Sequence, residues 1–404
     1  MAEVIRGNAI VGQSGGPTAV INQSLVGVIE AAAKHDAIET LYGARHGVRG
    51  IVQENFLTLT GLDTDLLERV AVTPAAALGS TRDKPDEEYC RKIFDVFARR
   101  NVRYFFYIGG NDSADTARII RDLARQSTYD LRVFHIPKTI DNDLRVTDHC
   151  PGYGSAARFV VSALMGDDRD NTSLPGVKID VIMGRHAGWL TASGLLARQD
   201  ATDGPHLIYV PERRVSPDQF VDDVAEVYGR LGRCLIAVSE GIEDLDGVAW
   251  GEKLSSTVEH DSHGNVQLSG SGALGDRLAE LVKTKVGAKL GGKKLRVRAD
   301  TFGYLQRSFA GYASPVDQKE ARLAGRKAVA YAMRGTQDGS VAFRRRTGDT
   351  YGITCFRAKL ADVARETKPL PPEYVNELGN GINESFRAYV APLVGKLPTT
   401  GKLA

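Results

Sequence analysis

Three short apolar runs in the first 145 residues lead into junctions that carry glycines or acidic residues, and helical patterns lie between them. Residues 8–11 run into Gly12-Gln13-Ser14-Gly15-Gly16-Pro17 and a helical pattern over 18–34. Residues 102–108 run into Gly109-Gly110-Asn111-Asp112-Ser113 and a helix expected over 114–125. Residues 133–136 end at Pro137-Lys138-Thr139-Ile140-Asp141-Asn142-Asp143. Short strands alternating with helices predict an α/β fold with a parallel, doubly wound sheet. Ligands of such sheets sit at the C-terminal tips of the strands. The residues at those tips are therefore the candidates for chemistry.

Each tip has two readings. Asp141 can accept a proton from an alcohol, and Lys138 can hold a phosphate as a point charge; a polar surface loop is the plainer account of the same residues. Gly12, Gly15 and Gly16 would let a phosphate approach backbone N–H groups at a helix start, and Pro17 suits a first helical position. Their spacing is neither a Walker A nor a GxGxxG, and a tight turn explains them as well. Asp112 and Ser113 are good N-cap types and could be there only to cap.

The second half repeats the pattern. Strands are expected at 179–183, 206–210, 234–239 and 295–298, with Gly184-Arg185 and Glu240-Gly241 at two of the tips. Ser216 reads as the cap, and Pro217 as the first residue, of a helix ending at Leu231. Helices are expected at 153–165, 274–286 and 317–334, a loop at Gly303-Tyr304-Leu305-Gln306-Arg307, and one amphipathic segment at 374–390.

Composition removes several classes. A net charge of +2 over 404 residues gives no global electrostatic case for nucleic acid or a membrane surface. Arg344-Arg345-Arg346 reads as a solvated turn. Cys90, Cys150, Cys234 and Cys355 form no CxxC pair and are too sparse for a disulfide framework. The start shows no signal peptide, and no segment reaches the length of a membrane span, so a cytoplasmic protein is expected. Hydrophobic residues at 42% and charged residues at 25% are ordinary for an enzyme of two or three domains. His260 and His263 fall in an expected exposed hairpin and read as solvated rather than metal-binding.

Collected along one edge, the tips present Gly12–Gly16, Arg82, Gly109–Asp112, Lys138–Asp143, Met183–Arg185, Glu240 and Arg298, with Tyr304 and Arg307 added. Arginines read phosphate bidentately, and carboxylates hold Mg²⁺ directly or through its waters. The set suits phosphoryl transfer, where positioning and charge neutralisation do most of the catalysis.

Gly-Gly-Asn-Asp, Pro-Lys-Thr-Ile-Asp-Asn-Asp, Met-Gly-Arg and Gly-Tyr-Leu-Gln-Arg, in this order, resemble the phosphofructokinase family from the first strand to Met333. The resemblance implies two doubly wound lobes with the active site between them. Residues 1–150 with about 307–366 would bind the phosphoryl donor, and 151–306 with 367–404 would bind fructose 6-phosphate. Asp141 would be the base for the sugar C1 hydroxyl, with Thr139 and Asp143 orienting the sugar. Arg185 and Arg82 would stabilise the phosphoryl group in flight. Gly15 and Gly16 would offer N–H groups to it, with Gly110 also on the donor side. Met183, Gly184, Glu240 and Arg298 would line the sugar site, and Tyr304 and Arg307 would hold the 6-phosphate.

ATP-using members of the family carry glycine where this chain has Asp112 and Lys138; pyrophosphate-using members resemble it at both places. A carboxylate at Asp112 would repel the ATP α-phosphate, and Lys138 would restore charge neutralisation. The resemblance thus implies reversible transfer from pyrophosphate to fructose 6-phosphate, usable in glycolysis and gluconeogenesis. Mg²⁺ would be served by Asp112 or by Asn111, which stands where the family often has aspartate. A homodimer or homotetramer, with arginines reaching across an interface, is implied as well. An ATP-dependent phosphofructokinase and a non-catalytic regulatory subunit are the rival readings.

Overall fold

The computed structural model describes residues 5–253, 272–348, 350–364 and 366–403. The strands, in chain order, are β1 (Gly7–Gln13), β2 (Ile38–Ala44), β3 (Phe56–Thr58), β4 (Val102–Gly109), β5 (Arg132–Pro137), β6 (Val177–Ile182), β7 (Leu207–Tyr209), β8 (Cys234–Ser239), β9 (Val297–Thr301), β10 (Asp338–Arg345) and β11 (Ile353–Ala358). The chain forms two compact units, Met1–Ser155 with Arg307–Lys368, and Ala156–Gln306 with Pro369–Ala404.

The first unit holds a seven-stranded sheet in the order β11-β10-β5-β4-β1-β2-β3. Its five central strands are parallel, and only the edge strands β11 and β3 run antiparallel. Every residue of β5 is buried, as a strand covered on both faces requires. Alternate residues feed the two faces. Phe106, Ile108 and Phe134 pack with Leu25 and Val28 of the helix Ile21–Ala32 and with Ala324 and Ala328 of the helix Pro315–Met333. Phe105, Tyr107 and Val133 pack with Ile93 and Phe97 of the helix Glu87–Arg99 and with Ile120 of the helix Asn111–Gln126. Gly27 and Gly325 sit where helices Ile21–Ala32 and Pro315–Met333 touch; a Cβ on either would strike the other helix's backbone.

The second unit holds a parallel sheet in the order β7-β8-β6-β9. Val177, Ile179, Val181, Ile236 and Val238 form a core with Phe220 and Val224 of the helix Pro217–Leu231 and Leu278 of the helix Ala273–Leu281. Ser216 accepts the N–H of Gln219 at 3.1 Å, and Pro217 takes the first helical position as expected.

Several boundaries differ from the expectation. The first helix starts at Ile21, because Thr18 turns inward: its Oγ1 accepts the N–H of Val20, and its carbonyl accepts the N–H of Ala75. Pro17 therefore lies before the helix. The helix Tyr153–Ser173 runs well past residue 165. The strand expected at 295–298 is β9, two residues later at its start, and the expected loop at 303–307 contains a helical turn, Leu305–Ser308. The tail holds a 3-10 turn, Pro372–Tyr374, then a Val375–Ile382 bridge and the helix Ser385–Val394, not one amphipathic segment. Arg344 and Arg345 belong to β10 rather than a turn. Arg344 lies over the Phe356 ring, and Arg345 lies over Tyr351 and pairs with Asp148 at 3.2 Å. The expected hairpin with His260 and His263 lies outside the described residues. No helix among the described residues is long and apolar enough to cross a membrane.

Candidate active site

Three neighbouring tips of the first unit, those of β1, β4 and β5, are tied into one floor. The N–H of Ser14 donates to the Ile108 carbonyl at 2.9 Å, and Ser14 Oγ meets Ser113 Oγ at 2.5 Å. The Gly109 carbonyl accepts the Lys138 N–H and His135 Nε2–H, both at 2.9 Å. His135 is fully buried, which pushes its pKa down to about 4 and keeps the ring neutral. Its Nδ1 faces the Ser340 hydroxyl at 2.8 Å. None of Ser14, Ser113 or His135 stands out as functional in the sequence. The only signal for His135 is a histidine inside an otherwise apolar run.

Lys138 is 4% exposed, and its Nζ donates to the Gly16 carbonyl at 2.7 Å. Burial and the Arg307 guanidinium push its pKa down to about 8, against the pull of Asp141 and Asp143; Arg82 adds to the lowering. Gly15 has φ 73°, and a Cβ there would stand 3.0 Å from Lys138 Nζ. A Cβ on Gly16 would stand 2.9 Å from Arg307 Nη1. Gly15, Gly16, Lys138 and Arg307 are thus in one place, with the charges of Arg82, Asp141 and Asp143 acting on it. Arg307, expected with the sugar phosphate, stands beside the glycine turn. Gly15 departs from expectation too: its N–H is given to the Thr81 carbonyl at 2.9 Å, and Ser80 Oγ donates to its own carbonyl at 2.6 Å. These two bonds, Gly15 N–H to the Thr81 carbonyl and Ser80 Oγ to the Gly15 carbonyl, dock the 78–82 turn, and Arg82 with it, on the glycine turn.

Thr139 Oγ1 accepts the N–H of Asp141 at 3.0 Å. Burial pushes the Asp143 carboxyl up, opposed by a hydrogen bond with Thr139 and by the charges of Lys368 and Lys138.

The expected N-cap role of Asp112 and Ser113 is not what the structure has. The helix begins at Asn111, with extended Gly110 as N-cap. Asn111 Oδ1 accepts the N–H of Asp112 at 2.9 Å. Asp112 is the second helical residue, where a carboxylate suits the positive end of the helix. It pairs with Lys84 at 3.0 Å, and both side chains are 57% exposed. As a metal donor set this is one exposed carboxylate and one amide oxygen that already accepts a backbone N–H. Mg²⁺ needs no more from a protein when substrate phosphates supply further oxygens, so the residues fit. Another carboxylate group, Asp167, Asp180 and Asp300, has oxygens within 4.8 Å of one another. Lys178 already lies among them, 3.6 Å from Asp167 and from Asp180 and paired with Asp300, and offsets part of their charge.

In the second unit the tips of β6 and β8 interlock through the main chain. Gly184 (φ 146°) has its carbonyl held by Ser239 Oγ at 2.5 Å, and the Glu240 N–H donates to the Ile182 carbonyl at 2.9 Å. A Cβ on Gly241 would collide with the Arg185 carbonyl. The Met183 N–H donates to Gln306 Oε1 at 3.2 Å, so Gln306, quoted in the sequence only as part of a motif, positions Met183. Met183 and Glu240 are buried, Arg185 is half-buried, and Tyr304 is 46% exposed.

Arg298 is the correction of most consequence. It was expected at a strand tip, but it is the second residue of β9 and lies opposite Lys178, four residues before Ile182. That is about 13 Å of strand away from the tip. The reason is the start of β9 at Val297, which pairs with Val177 and places Thr301 opposite Val181.

The fold and these tips define an α/β phosphotransferase architecture, and the comparisons with known proteins agree. The phosphofructokinase family profile matches residues 8–332, and the chain belongs to that family. A protein of Rhodospirillum rubrum named pyrophosphate–fructose 6-phosphate 1-phosphotransferase is 54% identical over 97% of this chain and 95% of its own. One of the same name from Halomonas elongata is 37% identical over 98% of this chain and 96% of its own. The crystal structure of a pyrophosphate-dependent phosphofructokinase from Marinobacter aquaeolei superposes with a TM-score of 0.85 at 32% identity, covering 98% of this chain and 93% of that one.

Proposed function

We propose that this chain transfers a phosphoryl group reversibly between pyrophosphate and the C1 hydroxyl of fructose 6-phosphate. The observation that carries the reading is Lys138, a buried ammonium fixed on the Gly16 carbonyl with Arg307 beside it. A compact cationic cradle at the glycine turn suits a donor that is almost all charge. The full-length similarity to proteins named for this reaction supports the same donor and acceptor.

In the forward direction Asp141 takes the proton from the sugar C1 hydroxyl as its oxygen forms the new bond to phosphorus. The bridging P–O bond of pyrophosphate breaks, and phosphate leaves. Little covalent chemistry is asked of the protein; its work is positioning and charge neutralisation. Lys138, Arg82 and Arg185 meet the charge of the group in flight, and Gly16 and Gly110 give the donor a surface without side chains. Thr139 and Asp143 fix the loop that aims Asp141. Met183, Gly184, Glu240 and Tyr304 receive the sugar.

Mg²⁺ would be held by Asp112, with Asn111 Oδ1 turned to the Asp112 N–H, and would supply neutralisation of phosphate charge. Asp112 also repels a nucleotide α-phosphate. Arg298, exposed on the edge strand β9, suits a sugar phosphate in a second copy of the chain, which makes the working enzyme a homo-oligomer. Pyrophosphate and the sugar bisphosphate have similar phosphoryl-transfer potential, so the enzyme serves glycolysis and gluconeogenesis in the cytoplasm.

The test is product analysis by ³¹P NMR. Fructose 6-phosphate with pyrophosphate and Mg²⁺ is expected to give fructose 1,6-bisphosphate and phosphate, and the two products are expected to regenerate the substrates. No C1 phosphate signal would remove the proposal.

A further inference from the structure

The segment between β5 and the helix Tyr153–Ser173 carries Asp141 and Asp143 and has almost no regular structure. Side chains hold its shape. Asn142, fully buried at φ 56°, accepts the N–H of Cys150 at 3.0 Å. Thr147 Oγ1 donates to the His149 carbonyl and accepts the Phe343 N–H, both at 2.9 Å. Val146 is held at φ 71°, a strained conformation for a β-branched residue. Asp317, on the helix Pro315–Met333, accepts the N–H groups of Gly152 and Ser155 at 2.9 and 2.8 Å.

His149 lies in the middle of these bonds and is 2% exposed. Its Nδ1 is 2.8 Å from Asp148 Oδ1, and its Nε2 is 2.7 Å from Glu320 Oε2. A ring nitrogen at that distance from an ionised carboxylate carries a proton, because two lone pairs would repel. A neutral imidazole has one N–H, so with Asp148 and Glu320 both ionised the two contacts make the ring an imidazolium. Burial works against that charge, but the hydrogen bonds to Asp148 and Glu320 outweigh it and raise the pKa. The other groups facing the ring come from the remaining neighbours. Arg345 of β10 is 3.2 Å from Asp148, and the Tyr351 hydroxyl donates to Glu320 Oε1 at 2.7 Å and lies 3.4 Å from Nε2. The Phe343 ring is 5.2 Å away, and Lys368 Nζ donates to the carbonyls of Thr147 and Asp148.

We propose that His149 is a positioning residue: its imidazolium, clamped between Asp148 and Glu320, fastens the loop that carries Asp141 to the helix Pro315–Met333. This rests on the reading of Asp141 as the base. His149 is eight residues from Asp141 and acts through the loop. The ring is charged below its raised pKa, so the clamp is complete below that value and is lost as pH rises through it. The stability it contributes follows the same course, present in full below the unfolded value of about 6.5 and lost on the alkaline side.

The test uses the full chain with ¹⁵N-labelled histidine. His149→Gln identifies the His149 signals by their loss, and wild type is expected to show both ring nitrogens protonated at neutral pH. His149→Gln is expected to lower kcat roughly ten- to a hundredfold, the cost of a small misplacement, with KM for pyrophosphate nearly unchanged. Glu320→Gln keeps the ring and one carboxylate partner, so it carries the test if the first variant folds poorly. It should move the alkaline fall of kcat to lower pH by about one to three units. A merely structural residue would change melting without moving that limb. A neutral His149 ring in an active wild type, native kcat in His149→Gln, or an unmoved limb in Glu320→Gln would overturn the proposal. Failure of the functional reading is separate, because it shows in wild type as no transfer at all.

Discussion

The strand tips of the two units are built on different principles. In the first unit the tip chemistry lies in charged side chains withdrawn from water: Lys138 is 4% exposed and bonded to a carbonyl, and the Asp143 carboxyl is pushed up by burial. In the second unit the tips are locked through main-chain groups held by neutral side chains, the Gly184 carbonyl by Ser239 Oγ and the Met183 N–H by Gln306 Oε1, while Tyr304 and Arg298 stay in solvent. A donor made of charge requires cations fixed in advance, where low polarity makes each worth more. A sugar phosphate also has shape, and rigid turns with adjustable polar side chains suit it. Substitutions in the two units should therefore fail differently, the first in kcat and donor use, the second, Arg185 excepted, in sugar affinity.

The largest effect belongs to the first unit. Asp141→Ala is expected to cut kcat by roughly 10²–10⁴-fold, the usual share of a general base, with little change in KM for fructose 6-phosphate. Steady-state kinetics with both substrates varied checks this, and near-native turnover would take Asp141 out of the reaction.

Next is Lys138→Met, expected to weaken pyrophosphate use by about ten- to a hundredfold, the worth of a charge-assisted hydrogen bond. Lys138 adds a pH signature. Its pKa is pushed down to about 8, so it is cationic below that pH and neutral above. KM for pyrophosphate in wild type should rise as pH passes through about 8, and the variant should lack that rise. An identical pH profile in the two proteins would mean that Lys138 does not meet the donor.

Arg298→Ala tests the second unit and sharpens the contrast. If the arginine reaches the sugar phosphate of a second copy, KM for fructose 6-phosphate rises roughly ten- to a hundredfold and KM for pyrophosphate stays put. Unchanged KM for both would leave Arg298 as a surface residue of β9.

Much of this was legible in the sequence because parallel strands announce themselves. The runs at 102–108 and 133–136 are buried on both faces and read as strands without help from periodicity. Helix starts were harder wherever polar residues had two local options. Asp112 and Ser113 look like a cap, but Gly110 takes that position and the helix starts at Asn111, so they fill the first helical turn. Thr18 spends its hydroxyl and carbonyl on bonds that delay the first helix. Register was not legible at all: nothing in 295–301 says that Arg298 faces Lys178 rather than the tip. The supports contributed by His135 and Gln306 depend on Ser340 of β10 and on Met183, just past β6, and cannot be seen in the segments that carry them.

The smallest effect on stability, and an instructive one, is Asp112→Gly. With Gly110 as the cap, the change removes a surface pair with Lys84 worth about 0.2–1 kcal/mol and adds the helical cost of glycine, about 0.5–1 kcal/mol. A modest fall in melting temperature is expected, together with partial loss of pyrophosphate activity and gain of some ATP use. A fall in melting temperature alone would reduce Asp112 to a helix-end residue.

The central claim, that the fixed cations of the first unit serve pyrophosphate, is tested most directly by purified wild-type chain with fructose 6-phosphate, Mg²⁺ and either donor. The expected result is a kcat/KM for pyrophosphate far above that for ATP. A preference for ATP would contradict the roles of both Lys138 and Asp112 in selecting the donor.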